Sequence, residues 1–334
     1  MNFRLLHFII IFSISVGITS CNSNKEVNTD NVVTDLDSLV VLFPDSIPLL
    51  IEHGNKMLKD YQFEKALDDG AKAFRLDSNK IEARLLYANV INNQPDRSVK
   101  DVMNAQRHFK HILSKDSTNT EALISLATTY SQQLDFENSF ITINKALKIN
   151  PKLRDAYVLK GTNYLHLQNM ELAKSSYETA IQQDPEFFEA YLMLGSIYQS
   201  ENNEICLEYF TTAAKLKPNN NDVLYAYAYA NQLHGKLKEA KHTYRKMIRL
   251  DTTYSQALFQ LGYIKQWKEN DLDSAMYFYS NTIQTTPNYV EAWHNLGICY
   301  LEKGDKPKAQ QAFRKALTFD PTFELSKELI KKAQ

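Results

Sequence analysis

The sequence predicts an all-α fold, a solenoid of about eight stacked helix-turn-helix repeats closed by a C-terminal capping helix. Three observations predict it. A small residue recurs at Gly54, Ala88, Ala127, Gly161, Gly195, Ala228, Gly262 and Gly297, at gaps of 34, 39, 34, 34, 33, 34 and 35 residues, and a period of this size marks stacked supersecondary units. A second small slot holds Ala66, Ala105, Ser139, Ala173, Cys206, Ala240, Ala275 and Ala309. Four positions after it stand Gly70, Phe109, Ile143, Tyr177, Phe210, Tyr244, Tyr279 and Phe313, and twelve positions after it Ser78, Ser117, Pro151, Pro185, Pro218, Thr252, Pro287 and Pro321. Finally, the step from the second slot to the next unit's first slot is always 22 residues, as from Ala66 to Ala88 or Ala275 to Gly297.

Each element has a steric reason. A unit is two antiparallel helices, A and B, joined by a short turn. The two small slots mark where their backbones approach, and the aromatic residue on helix B fills the space between units. Proline in the last slot cannot continue helix B and helps to end it. The constant step requires a fixed register at the junction between units, so length variation falls at the A–B turn. The second unit carries five extra residues there, around Asn92 to Arg97. Ser46 reads as an N-cap with Pro48 in the first turn behind it, a pairing suited to a helix start. A polar-faced helix over 323–332 is expected to cap the last unit.

The last unit reads Trp293-x2-Leu296-Gly297-x2-Tyr300, then Ala309-x3-Phe313 and Pro321. It resembles the tetratricopeptide (TPR) signature. The resemblance implies a right-handed α-solenoid over 46–334, with units near 47–80, 81–119, 120–153, 154–187, 188–220, 221–254, 255–289 and 290–323. It also implies a concave face, lined by the A helices, that binds a protein or peptide. Counted from seven residues before the glycine/alanine slot, the groove-facing slots are the second, fifth, ninth, twelfth and thirteenth. The middle units place Thr128, Ser131, Gln132, Thr162, His166, Ser196 and Gln199 there, a polar set. The sixth to eighth place Tyr225, Tyr229, Phe259, Tyr263, Trp267 and His294 there. Aromatic rings facing a groove are typical anchors for a partner; packing between adjacent A helices is the alternative. Slot five carries no lysine, so the carboxylate clamp of chaperone-binding TPR domains is not implied.

The first 45 residues differ in kind. Arg4 followed by the apolar run from Leu5 to Ile18 reads as an export signal over 1–20, too short to span a bilayer. Ile18-Thr19-Ser20-Cys21 resembles a bacterial lipobox, which implies a lipid-modified (palmitoylated) Cys21; a plain cleaved signal and an uncleaved anchor are the alternatives. Asn22 in that setting implies the outer membrane, on its periplasmic face or at the cell surface. Residues 21–45, rich in Asn, Asp, Thr and Ser, read as a flexible tether.

Composition excludes several function classes. Thirty-eight Lys and Arg against 39 Asp and Glu give a net charge of −1, which offers nucleic acid no basic field. Cys206 and Cys299 lie three repeats apart and read as small buried hydrophobes. His108 and His111 share a helix face but have no third ligand at metal spacing. No nucleophile elbow, P-loop, H-E-x-x-H or C-x-x-C is present, so neither enzyme chemistry nor a cofactor is expected. The expected function is a membrane-anchored scaffold that holds an envelope protein in its groove. The alternative is a lipoprotein that binds a glycan or peptidoglycan fragment on the same aromatic residues. Oligomeric state is open.

Overall fold

The structure, a computed structural model, describes residues 35–332. The sequence-predicted signal, Cys21 and most of the tether lie outside the described residues. Every regular element among the described residues is a helix. A short helix α1 (Leu36–Leu42) precedes a series of A–B pairs. The first compact unit, which ends at Asp184, holds four of them: α2 (Ile47–Lys59) and α3 (Phe63–Leu76), α4 (Ile81–Asn93) and α5 (Val99–Lys115), α6 (Thr120–Gln132) and α7 (Phe136–Ile149), α8 (Arg154–His166) and α9 (Met170–Gln183). The second, from Pro185, holds α10 (Phe188–Ser200) and α11 (Cys206–Leu216), α12 (Asn221–Leu233) and α13 (Leu237–Leu250), α14 (Ser255–Trp267) and α15 (Leu272–Thr285), α16 (Val290–Glu302) and α17 (Lys306–Phe319), then α18 (Glu324–Lys332). The eight pairs fall on the eight units of the sequence pattern. None of the described helices is long and apolar enough to cross a membrane.

The small slots are tight. A Cβ on Gly195 would lie 2.6 Å from the Phe210 ring, and one on Gly297 would lie 2.6 Å from Phe313. The helix B aromatics Phe109, Tyr177, Phe210, Tyr244, Tyr279 and Phe313 are among the largest fully buried side chains. Each ring therefore replaces the volume its opposing glycine or alanine gives up, which sets the A–B spacing at native packing density.

Helix B ends through local side-chain chemistry that the proline slot alone did not reveal. Asp116, Asp251 and Asp320 each follow the last residue of a B helix, and each carboxylate accepts hydrogen bonds from the backbone N–H and hydroxyl of a threonine two residues on. These bonds stabilise the ionised carboxyl and hold Asp116 and Asp251 below their usual range. They give the backbone a local alternative to another helical turn. Where threonine is absent, Asn79 and Lys152 donate backbone N–H groups to Asp77 and Asn150 in the same way.

The A–B turn needs one residue in the left-handed region, and seven turns supply it: Tyr61, Leu134, Gln168, Asn202, Gly235, Asn270 and Gly304. Only two of these are glycine. Leu134 holds φ 59° with its side chain exposed, a conformation that costs a non-glycine residue about 1–2 kcal/mol. Leu134→Gly is expected to stabilise the chain by about 1 kcal/mol, net of the extra unfolded-state freedom of glycine. Chemical denaturation would measure it, and a loss of stability would contradict the assignment.

Three expectations shift. The insertion in the second unit is only partly a longer turn. Asn92 and Asn93 stay in α4, and α5 runs 17 residues where most other B helices have 14. Ser98 and Asp101 form a capping box that starts α5 earlier, a stable helix start. The tether assigned to 21–45 stops short of Leu36, because Leu36–Leu42 is helical. Val40 of this helix packs on the cluster of Leu50, Ala73 and Ala83, and Asp37 reaches the buried His53 at 3.4 Å. Ser46 is the N-cap of α2, with Pro48 in the first turn, but its hydroxyl makes no capping bond.

Candidate functional site: the inner face of the A helices

Within each unit, successive A helices approach one another directly: α2 meets α4, α4 meets α6, α6 meets α8, and in the second unit α10 meets α12 and α14 meets α16. Successive B helices make no comparable approach. The A helices therefore form the inner row, and their exposed slots line the inner face.

In the first unit this face is polar and partly bonded to itself, although Asn92 Oδ1 and Gln132 Oε1 are buried without a partner. Asn89 donates to Glu121 and accepts from Ser125. Ser131 donates to Asn163 at 2.6 Å, and Asn163 donates to Ser139. The hydroxyls of Thr128 and Thr162 turn back onto carbonyls of their own helices. The ring of His166 stacks on Phe136. Arg154 forms a partly buried ion pair with Asp155 and Asp184, both at 2.6 Å.

The second unit carries the aromatic set, and the structure divides it. Slot five is a packing position. Tyr225 lies against Tyr254 at 6.4 Å, Phe259 against Tyr289 at 5.0 Å, and His294 against Phe323 at 5.1 Å. In each case the covering ring is the residue just before the next helix, whose aromatic character at Tyr254, Tyr289 and Phe323 the slot count from sequence passed over. In the first unit slot five holds Ile51, half-buried, and Leu85, Ile124 and Val158, all buried.

The placement of His294 as a groove contact is corrected by this. His294 is 7% exposed, lies beneath α18, and shares a 2.8 Å hydrogen bond between its Nδ1 and the Ser326 hydroxyl. Burial pushes its pKa down to about 4 from 6.5. A histidine buried neutral must take up a proton when it unfolds in acid. Its folded value lies below its unfolded one, so its contribution is present above about pH 6.5 and is lost as pH falls toward 4. Between pH 7 and 4.5 this is about 2 kcal/mol. Denaturation at both pH values should show the fall, and His294→Asn should remove that part of it. An equal pH dependence in His294→Asn would contradict the assignment. His108, clasped by Phe74, Tyr87 and Arg84, is lowered to about 4, first by burial and then by Arg84, and contributes in the same direction.

Slots nine and thirteen are open. Tyr229 and Tyr263 are half-buried, and Trp267 is 49% exposed. Tyr229 stacks nearly parallel on Tyr225, with ring centroids 6.0 Å apart. Burial raises the Tyr229 hydroxyl, and the Tyr263 hydroxyl nearby raises it further. Below these rings runs an amide ladder. Gln232 donates to Gln260 at 2.9 Å, and Gln260 donates to the Tyr225 oxygen at 3.2 Å. Tyr279 donates to Gln266 at 2.9 Å and accepts from Asn295 at 3.3 Å.

One rung is missing. The helix B tyrosines send their hydroxyls under the small slot toward the inner face, where Tyr177 meets Thr162 and Tyr279 meets Gln266. The Tyr244 hydroxyl is sealed among Tyr225, Tyr229 and Tyr254 without a hydrogen-bond partner. Gln232 Oε1 and Gln266 Nε2 are also buried and unpaired. Sequence reasoning gave no sign of these orphan atoms, because they depend on which way each amide turns.

Cys206 and Cys299 are both buried. Burial raises both thiols, Cys299 to about 12, so each packs as a neutral group.

Paired helices in fixed register, glycine under aromatic, and an inner row of A helices define an all-α tetratricopeptide-repeat solenoid. The family models for tetratricopeptide repeats match residues 120–153, 155–187 and 290–323. Among curated proteins, the chain is 27% identical over 158 residues to tetratricopeptide repeat-containing protein trd-1 of Caenorhabditis elegans, covering 47% of this chain and 20% of that protein. It is 26% identical over 217 residues to tetratricopeptide repeat protein 6 of Homo sapiens, covering 64% and 41%. The chain thus spans well under half the length of these relatives. Among solved structures, the C-terminal part of a TPR repeat-containing protein from Cytophaga hutchinsonii superposes with a TM-score of 0.60 at 17% identity, covering 73% of this chain and 98% of that one. This likeness supports the fold.

Proposed function

We propose that this chain is a non-enzymatic scaffold, anchored in a bacterial envelope through lipid on Cys21, that holds a partner protein on the inner face of its sixth to eighth repeats. One observation carries the docking site. Trp267 is exposed and Tyr229 and Tyr263 are half-buried on the inner face of the second unit, whereas the inner face of the first unit carries polar side chains, several of them hydrogen-bonded to one another. Amphipathic rings left facing water are the usual anchors of a protein interface. The lipobox-like Ile18-Thr19-Ser20-Cys21 and Asn22 support the anchor and the outer membrane.

Two measurements test the two halves of this reading. Palmitate labelling should mark the native chain and not Cys21→Ala, and an unlabelled native chain would remove the anchor. Crosslinking in intact cells, followed by mass spectrometry, should recover an envelope protein attached within 225–267. Binding of sugar fragments on a glycan array, with no protein recovered, would favour a glycan ligand on the same rings.

A further inference from the structure

Charge on the inner face is one-sided although the whole chain is balanced. In the sixth to eighth repeats, slots two, five, nine, twelve and thirteen hold Asp222, Glu291 and Glu302 and not one Lys or Arg. All three carboxylates are exposed and make no ion pair. Two cations of this region are engaged elsewhere: Lys265 with Glu269 and Asp271, and Lys303 with Asp273.

Asp222 and Glu291 have a fold-level reason to be acidic, since they stand in the first turns of α12 and α16, where the helix dipole favours a negative charge. Glu302 has the opposite placement. It is the last residue of α16, where a carboxylate meets the negative end of the dipole. Orphan amide atoms also occur at inner slots of other repeats, at Asn92, Gln132 and Gln199, but an orphan tyrosine hydroxyl is found on this face and adds an independent observation. The Tyr244 hydroxyl, fully buried and unpaired, ends beside Tyr225 and Tyr229, and Gln232 Oε1 is an unpaired acceptor. Buried polar atoms of this kind ordinarily find a partner.

Resting on the groove reading above, we propose that the occupant of this face is an extended peptide segment rich in lysine or arginine. Its cations lie over Tyr229, Tyr263 and Trp267, as ring quadrupoles favour, with Asp222, Glu291 and Glu302 around them. Turning the Tyr225 or Tyr229 ring aside gives an ammonium or guanidinium N–H access to the Tyr244 oxygen. An acidic segment is repelled by the same three carboxylates, so the face selects by charge as well as by shape.

The test uses the full-length chain and three labelled peptides of equal length that alternate alanine with lysine, glutamine or glutamate. Fluorescence anisotropy should find the lysine peptide bound at least about tenfold more tightly than the other two, with the preference shrinking as salt rises. Asp222→Asn, Glu291→Gln and Glu302→Gln together should erase the preference and leave the glutamine peptide unchanged. Tyr244→Phe should melt at a higher temperature, because an unpaired hydroxyl is gone, yet hold the lysine peptide about threefold more weakly, as expected when a charge-assisted hydrogen bond is lost. Equal binding of the lysine and glutamine peptides overturns the proposal. So does a charge-neutral triple variant with the native preference, or a Tyr244→Phe chain of native affinity. The groove reading fails separately: it falls if alanine at Tyr229, Tyr263 and Trp267 leaves all three peptides bound as before. If that variant loses every peptide without any charge preference in the native chain, the groove stands and only the basic occupant is excluded.

Discussion

Phe210→Ala is expected to destabilise the second unit by about 3–5 kcal/mol. Phe210 is fully buried in α11 and its ring touches the position a Cβ of Gly195 would take. A glycine opposite cannot reach into the space the ring leaves, so the site collapses poorly and the cavity term is large. α11 is also the shortest B helix of the repeats, at 11 residues, and Phe210 is its largest buried side chain. Repeats take stability from their neighbours, so the loss should spread to α12, which shares with Phe210 a cluster that includes Ala230. Denaturant unfolding followed by circular dichroism would measure it, and hydrogen exchange would show α10 to α12 opening first. A change below about 1 kcal/mol would mean that the glycine–aromatic pair does not set the spacing.

Replacing Tyr229, Tyr263 and Trp267 together by alanine is expected to abolish partner capture at a modest cost in melting temperature. The two effects separate because these rings carry little of the core. Trp267 is half exposed at the end of α14, whereas the buried core of these repeats is built from Leu224, Tyr244, Met247, Leu261 and Ile264. Loss of two or three central aromatic anchors commonly removes most of an interface's affinity. Tyr225 and Phe259 would not serve as clean test positions. They are covered by Tyr254 and Tyr289, and truncating them would loosen the junction between repeats. Pull-down from solubilised envelope, with a thermal melt of the same sample, reads both outcomes.

The difference between these two groups of rings marks where the sequence stopped being informative. Repeat number, helix order and the A–B pairing are consequences of steric slots that recur every 33 to 39 residues, so they could be read directly from Gly54 to Gly297. The open or covered state of an aromatic ring depends on a neighbour 29 or 30 residues away, as Tyr225 depends on Tyr254 and Phe259 on Tyr289. His294 followed the same rule and was covered by the capping helix, whose Ser326 completes the contact. The short helix α1 escaped notice because seven residues with a single acidic first turn give little periodic signal. Its docking rests on Val40 and on Asp37 beside His53, a histidine whose ring also meets Asp69 at 2.5 Å. A sequence pattern shows which residues repeat; it does not show which amide turns toward which, and the unpaired Tyr244 hydroxyl belongs to that second kind of fact.

The central claim is that the inner face of the sixth to eighth repeats, and not the outer B helices, holds the partner. Site-specific photocrosslinking in intact cells tests it most directly, with the crosslinker placed once at Trp267 on α14 and once at Arg245, which is exposed on α13. A discrete adduct from Trp267 and none from Arg245 is the predicted result. An adduct from Arg245 with none from Trp267 would contradict the account.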